Sequence, residues 1–381
     1  MKNLDQNILK YINDAEQETI DLLEQLAKIP APSGQEDLRA EFVKNWLVDA
    51  GAKDVYIDSV KNVICPIGCE GKDDIVTFVA HTDVVFPDTT PLPFKKDDKY
   101  FYCPGIGDDT ACLVAMLMII KYIVKNNLTA PTGILFVANS CEEGLGNLKG
   151  TRQLMKDFEG RINKFYSFDS NYDSIYNKPV GSHRYEIEFT TEGGHSFGAF
   201  GNRNAIAAMS KVIAELYECV VPKKEGAKTT YNVGIVEGGT SVNTIAQYAK
   251  MLYEYRSDDR ECLDSMKNYF NSVIEKAKQK NIADIHVNMI GERPCSGDVD
   301  QSVIDQMVEH AKAISEKHSG LPCALKSAST DCNIPLSLGI PSICVGTHIS
   351  DGTHTREERL LISSLPIGLK IVAEVILSYF N

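Results

Sequence analysis

The chain has 381 residues, 43% of them hydrophobic, and its 52 acidic against 39 basic side chains give a formal net charge of −13. Without clustered Lys and Arg, this balance argues against nucleic-acid or anionic-membrane partners and leaves a small molecule or peptide as the expected ligand. The length exceeds one comfortable core and predicts two domains, with no tandem repeat or low-complexity tract. Met1-Lys-Asn-Leu-Asp-Gln-Asn7 lacks the basic and apolar regions of a signal peptide, and no run of about 18 apolar residues occurs. Eleven scattered cysteines, with Cys112 and Cys344 inside apolar runs, read as reduced thiols, so a soluble, cytoplasmic protein is expected. Cys65 and Cys69 lie close enough for a metal clip, but no second cysteine pair or nearby His completes one.

Ile20, Leu23 and Leu26 recur at helical spacing, Pro30-Ala-Pro-Ser-Gly34 interrupts, and Leu38, Phe42 and Trp46 resume before Gly51, predicting two covering helices. Further along, four short apolar runs each deliver acidic or imidazole side chains. Ile75-Val-Thr-Phe-Val-Ala80 runs into His81-Thr-Asp83, and Gly133-Ile-Leu-Phe-Val-Ala138 leads to Glu142-Glu143-Gly144. Phe165-Tyr-Ser-Phe168 stops at Asp169, and Ser342-Ile-Cys-Val345 precedes His348 and Gly352-Thr-His354-Thr355. Runs rich in Val, Ile and Phe suit strands buried on both faces of a doubly wound, mostly parallel α/β sheet, which binds ligands at its strands' carboxyl ends.

After Asp169 the pattern changes. Arg184–Thr190 alternates polar and apolar residues, and a helix is predicted over Asn204–Tyr217. Strands near Thr230–Val236 and Tyr248–Arg256, a helix near Glu261–Lys278 and a strand near Ile285–Met289 follow. The order β-α-β-β-α-β is the ferredoxin-like arrangement. The expected organisation is a discontinuous catalytic domain, residues 1–181 and 293–381, with an α+β domain, residues 182–292, inserted in it.

His81, Glu143, Asp169 and His354 fall at or beyond strand ends, and Asp108 or Asp109 follows the glycine-rich Pro104-Gly-Ile-Gly107. Zinc accepts His nitrogen and carboxylate oxygen, and two ions about 3.5–4 Å apart can share a bridging carboxylate and a hydroxide. The set therefore reads as a two-metal hydrolase site, in which Glu142 is left over as general acid/base. Adjacent carboxylates such as Glu142 and Glu143 repel one another unless cations neutralise them. Asp83, two residues past His81 on an extended backbone, can accept the other ring N–H of His81. Each of these residues could instead cap a turn or sit in a solvated loop; it is their concurrence that points to metal. Cys141 beside Glu142 offers a thiol-nucleophile reading that leaves the carboxylates unexplained. His183, His286, His310 and His318 show no acidic partners and read as ordinary residues.

His81-Thr-Asp83, Gly107-Asp108-Asp109, Glu142-Glu143, Asp169, Gly194-His195-Ser196, Asn243, Arg256 and His354-Thr355 stand in one order along nearly the whole chain. In this they resemble the co-catalytic di-zinc family that contains peptidase T, glutamate carboxypeptidase, acetylornithine deacetylase, succinyl-diaminopimelate desuccinylase and aminoacylase. The resemblance implies two zinc ions per chain, replaceable by cobalt or manganese, one held by His81 and Asp169 and the other by Glu143 and His354. Asp108 would bridge them, and Glu142 would be the general acid/base. The inserted domain would be a lid and homodimer interface, bringing His195 to the reacting carbonyl, in cis or from a partner subunit, and Arg256 with Asn243 to the substrate. Arg256 could instead pair with Glu254 or Asp258, and His195 could merely cap a turn.

Three departures qualify the match. Thr110 stands where many members have Lys, so the choice of Asp108 over Asp109 rests on aligning Asp108-Asp-Thr-Ala111 with the family pattern. Ala246 stands where Pro often follows the Asn243 motif, and His354 is preferred over His348 because Thr and acidic residues follow it. The expected function is hydrolysis of small peptides by a zinc-bound hydroxide, in a peptidase T-like or carboxypeptidase-like exopeptidase. N-acyl-amino-acid deacylation is the alternative within the class. A metal-dependent binding protein without turnover is the alternative outside it, disfavoured by the retention of Glu142.

Overall fold

The structure, a computed structural model, describes residues 4–381. The chain divides into two compact units, one running to Pro179 and resuming over Gly297–Asn381, the other Val180–Ser296.

In the first unit an eight-stranded sheet has the spatial order Tyr56–Ile57, Val63–Ile67, Gly133–Asn139, Ile75–His81, Ile162–Phe168, Ser342–Val345, Ser174–Pro179, Ala324–Ala328. The four central strands are parallel, and antiparallel pairing enters on both sides through Val63–Ile67 and Ser174–Pro179, so the sheet is mixed. Every residue of Ile75–His81 and Gly133–Asn139 is buried, which is why these strands read as unbroken apolar runs. Phe78 stacks on Phe136 and Tyr166, with ring centroids 5.6 and 5.2 Å apart, and so ties three neighbouring strands together. Because the central strands run the same way, their carboxyl ends lie along one edge, where His81 pairs in register with Asn139.

The N-terminal segment holds three helices, Gln6–Asp14, Glu16–Lys28 and Asp37–Asp49, where spacing predicted two. The third is also rotated from its expected phase. Leu38 is 64% exposed, and the buried side is Arg39, Ala40, Val43 and Leu47. Arg39 turns inward because its guanidinium donates to the carbonyls of Thr82 (2.9 Å) and Ile29 (2.7 Å). Burial pulls its pKa down to about 10, opposed by the nearby Cys103 and Asp83. A hydropathy pattern cannot anticipate a buried cation held by carbonyls.

The second unit is a four-stranded antiparallel sheet, in the order Thr229–Gly238, Tyr248–Ser257, Gly181–Thr190, Asp284–Arg293, with the helices Ala205–Tyr217 and Arg260–Gln279. Asn204 caps the first helix by accepting from the backbone N–H groups of Ile206 and Ala207, and Asp259 caps the second through Cys262. Burial alternates along Gly181–Thr190 and Tyr248–Ser257, as a sheet with one packed face requires. Asp284–Arg293 runs beyond the predicted Met289 because a bulge between Met289 and Gly291 breaks the period of two.

Two histidines read as lacking acidic partners have them. His318 Nε2 lies 2.6 Å from Glu374, and His183 Nε2 lies 3.4 Å from Glu292 while its Nδ1 meets the Tyr255 hydroxyl at 2.7 Å. These partners come from distant segments, so spacing along the chain does not show them. All eleven cysteines are free, and Cys69 Sγ meets the Ile134 carbonyl. Among the described residues no helix is long and apolar enough to cross a membrane.

Candidate metal centre

At the carboxyl edge of the central strands, three overlapping groups of side chains converge: His81 with Asp108 and Asp169, His81 with Glu142 and Glu143, and Asp108 with Glu143 and His354. The Asp108 carboxylate lies between the two imidazoles. Its Oδ1 is 3.0 Å from His81 Nε2, and its Oδ2 is 3.0 Å from His354 Nε2, which is also 3.1 Å from Glu143 Oε1. Asp109, next in the chain, turns away, and its Oδ2 accepts the backbone N–H of His81 at 2.9 Å. His348 lies apart from these groups, with Nδ1 3.4 Å from Cys112 Sγ and Nε2 3.0 Å from Ser350 Oγ.

The cluster concentrates carboxylate charge around its two imidazoles. Burial pushes Asp169 up to about 7, reinforced by Asp108, and burial with the same neighbour raises Glu143. Hydrogen bonds to Asp108 and Glu143 raise His354 to about 10. Burial disfavours a charge on His81, yet Asp109, Asp108 and Asp83 together hold its pKa well above the usual imidazole range. Crowded carboxylates draw protons onto the imidazoles in place of cations, and bound divalent ions would release those protons. Mixed imidazole and carboxylate donors around a shared carboxylate fit a dinuclear metal site.

Sequence reasoning assigned Asp83 to the ring of His81, and the structure gives it a second task. His81 Nδ1 lies 3.0 Å from the Asp83 backbone carbonyl and 3.4 Å from its Oδ1. A carbonyl only accepts, so Nδ1 carries a proton and Nε2, facing Asp108 at 3.0 Å, is the nitrogen that a metal could take once it is deprotonated. The Asp83 carboxylate also accepts the backbone N–H groups of Glu142 and Glu143, both at 2.9 Å, and the Ser33 hydroxyl at 2.6 Å. One buried carboxylate thus locks the ring of His81 to the backbone of the Glu142-Glu143 pair.

Two further buried carboxylates escaped the sequence reading. Asp331 accepts from Asn139 Nδ2 at 2.8 Å and from the Thr151 hydroxyl, beneath the carboxyl end of the Gly133–Asn139 strand. Glu358, fully buried, accepts three backbone N–H groups, from Gly105 (2.7 Å), Gly107 (2.8 Å) and Asp108 (3.0 Å). It follows His354 by four residues, so it fastens the turn bearing Asp108 to the loop bearing His354. Gly107 is required here, since a Cβ would lie 2.5 Å from Ser350 and 3.0 Å from Glu358 Oε1. The acidic residues after His354 were the available signal, but their hydrogen-bond partners lie some 250 residues upstream. Glu358→Ala is expected to lower the unfolding free energy by about 3 kcal/mol or more, since buried donors left unmatched cost about 1–3 kcal/mol each. Urea denaturation of the metal-free protein measures this, and a variant as stable as its parent would contradict it.

His195, Asn243 and Arg256 belong to the unit Val180–Ser296. His195 Nδ1 accepts the backbone N–H groups of Phe197 and Gly198, both at 3.3 Å, so it does cap its turn. The side chain of Asn243 accepts from the Ser241 hydroxyl at 2.9 Å. Arg256 engages Glu254 through Nε at 2.9 Å and through a terminal nitrogen at 3.0 Å.

A central parallel sheet that converges two imidazoles and several carboxylates at its carboxyl edge defines a metal-dependent hydrolase. The chain belongs to the peptidase family M20/M25/M40, whose sequence profile matches residues 77–378. It is 24% identical to the uncharacterised protein YqjE of Bacillus subtilis over 336 residues, 83% of this chain and 84% of the relative. Its fold is similar to that of a Staphylococcus aureus tripeptidase, with a TM-score of 0.75 at 22% identity over 95% of this chain and 97% of the other. It is likewise similar to aminopeptidase PepT of Bacillus cereus, with a TM-score of 0.72 at 22% identity over 95% and 98% of the two chains.

Proposed function

We propose that this protein is an exopeptidase of small peptides that works with two zinc ions, cobalt or manganese being able to replace them. His81 and Asp169 would hold one ion and Glu143 and His354 the other, with Asp108 bridging. The observation that carries this reading is the Asp108 carboxylate, whose two oxygens face two different imidazoles at 3.0 Å. Asp109 is engaged with backbone instead, which favours Asp108 as the bridge. Two imidazoles among carboxylates suit zinc, and the carboxylates also admit cobalt or manganese. Bound there, the ions supply Lewis acidity that acidifies water and polarises the scissile carbonyl.

The chain's own groups do the rest. Glu142, buried beside His81 and Glu143, takes the proton of the attacking water and returns it to the leaving amine. Asp83 fixes its backbone for that transfer. With Nδ1 of His195 accepting, the neutral ring carries its proton on Nε2, the donor an oxyanion needs. Arg256 and Asn243 would recognise the substrate's end, and Arg256 must then exchange Glu254 for a substrate carboxylate. A panel of dipeptides, tripeptides and N-acetyl-amino acids tests the assignment. Peptides are expected to turn over fastest. Faster turnover of the N-acetyl compounds would make the protein a deacylase, and turnover of neither by the metal-loaded protein would remove the catalytic reading.

The protein would act in a reducing compartment, the cytoplasm, since all eleven cysteines are free and all but Cys219 are buried. It would form a homodimer through the inserted unit, where the edge strand Thr229–Gly238 exposes Ile235 and Val236. In such an isologous dimer His195 would serve the partner's site. Mixing His195→Ala chains with Glu142→Gln chains is expected to restore part of the activity that both parents lack, because each mixed dimer regains one intact site. A verified heterodimer that stays inactive would rule out the exchange.

A further inference from the structure

Beside Asp108 and Asp169 lies a cavity of about 140 Å³, contained in the unit that bears the metal ligands. Its lining is polar throughout, which is unusual for a pocket meant to receive an apolar side chain. Most of these groups already hold one another. Asn171 accepts the Ser350 N–H at 2.8 Å and donates to its carbonyl at 3.2 Å, and His348 is engaged on both ring nitrogens. Ser174 donates to Asp173 at 2.9 Å, and the Tyr176 hydroxyl reaches Ser170 Oγ at 3.4 Å.

Lys326 and Thr353 differ. Both line the cavity, and neither makes a side-chain hydrogen bond or ion pair with any described residue. Lys326 is the register partner of Tyr176 on the neighbouring parallel strand, so the two side chains rise on the same face of the sheet. Its own strand, Ala324–Ala328, is the outermost of the sheet, and Lys326 is exposed. With Asp108 and Asp169 given over to cations and one oxygen of Asp173 held by Ser174, the cation at this wall is the Lys326 ammonium, and the Thr353 hydroxyl adds a further group able to donate. The matching occupant is rich in acceptors and anionic, and the cavity has room for a carboxylate on a short aliphatic stem.

We propose that this cavity is the subsite for an acidic residue of the substrate, Asp or Glu adjoining the scissile bond, with the Lys326 ammonium as its counter-ion. The proposal rests on the peptidase reading above. It makes acidic peptides the preferred substrates and Lys326 the residue that sets the preference.

The test uses the metal-loaded protein and peptide sets that differ only in placing Glu, Gln, Leu or Lys on either side of the scissile bond. The wild type is expected to favour Glu over Gln and Lys in kcat/KM at one of the two positions. Lys326→Met should lower kcat/KM for the Glu peptide about tenfold, in the range of a charge-assisted hydrogen bond, and leave the Leu peptide unchanged. Lys326→Glu should invert the order in favour of Lys. As a reading independent of turnover, Glu142→Gln protein should bind the Glu peptide more tightly than the Leu peptide by calorimetry, and adding Lys326→Met should erase the difference. If the wild type cleaves the peptides without an acidic preference, or if both Lys326 variants keep the wild-type order, the subsite is overturned while the peptidase reading stands. If the metal-loaded wild type cleaves none of them, the peptidase reading itself falls.

Discussion

Glu142→Gln protein should retain its metals and its affinity for substrate while losing kcat by roughly 10²–10⁴-fold, the usual worth of a positioned acid/base. The amide keeps the shape of the side chain but cannot take up the proton of the attacking water. The effect should be confined to turnover, because the proposed ligand set of His81, Asp108, Glu143, Asp169 and His354 leaves Glu142 to the proton, although it lies beside His81 and Glu143. The neighbouring substitution gives the contrast. Glu143→Ala removes a group 3.1 Å from His354 Nε2 and should reduce bound metal. Elemental analysis and steady-state kinetics of both variants separate the roles, and phenotypes exchanged between the two would reverse the assignment within the pair.

Removal of divalent ions by a chelator should abolish turnover, and zinc, cobalt or manganese should restore it. Close to two ions per chain are expected in the purified protein. The physical reason is the charge assembled by the fold. Asp108, Glu143 and Asp169 converge with His81 and His354 in a largely buried site, so the metal-free state must protonate or repel. Metal binding to the folded chain alone should also stabilise it, by about 4 kcal/mol at free metal a thousand times Kd. A chelator-treated sample should therefore melt at a lower temperature and recover on adding metal. Metal-free protein with undiminished activity and an unshifted melting curve would sink the dinuclear reading.

Much of this site was legible in the sequence because of how parallel strands are buried. A strand covered on both faces must be apolar along its length, so Ile75–Ala80 and Gly133–Ala138 stand out as runs, and the polar residues that end them mark the edge where ligands bind. That determined His81, the Glu142-Glu143 pair, Asp169 and the position of His354 as candidates. The alternation of Gly181–Thr190 and Tyr248–Ser257 likewise marked a separate sheet with one packed face.

What the sequence left open depended on where side chains turn and on partners far along the chain. Asp108 and Asp109 are adjacent and chemically identical, so residue type left them open and only the family resemblance chose Asp108; the folded turn points Asp108 between two imidazoles and Asp109 at the backbone of His81. Asp83 was placed beside His81 by local spacing, but its hold on Glu142 and Glu143 arises because neighbouring parallel strands bring residues 59 and 60 positions apart into contact. Glu358 and Arg39 look like surface charges in the sequence, yet both are fully buried because backbone N–H groups or carbonyls from other segments satisfy them. By itself the sequence determined which residue types lie at the ends of buried strands, since that follows from solvent exclusion along one segment. Tertiary structure alone decided which polar groups meet, because a buried hydrogen bond joins segments whose separation along the chain carries no pattern.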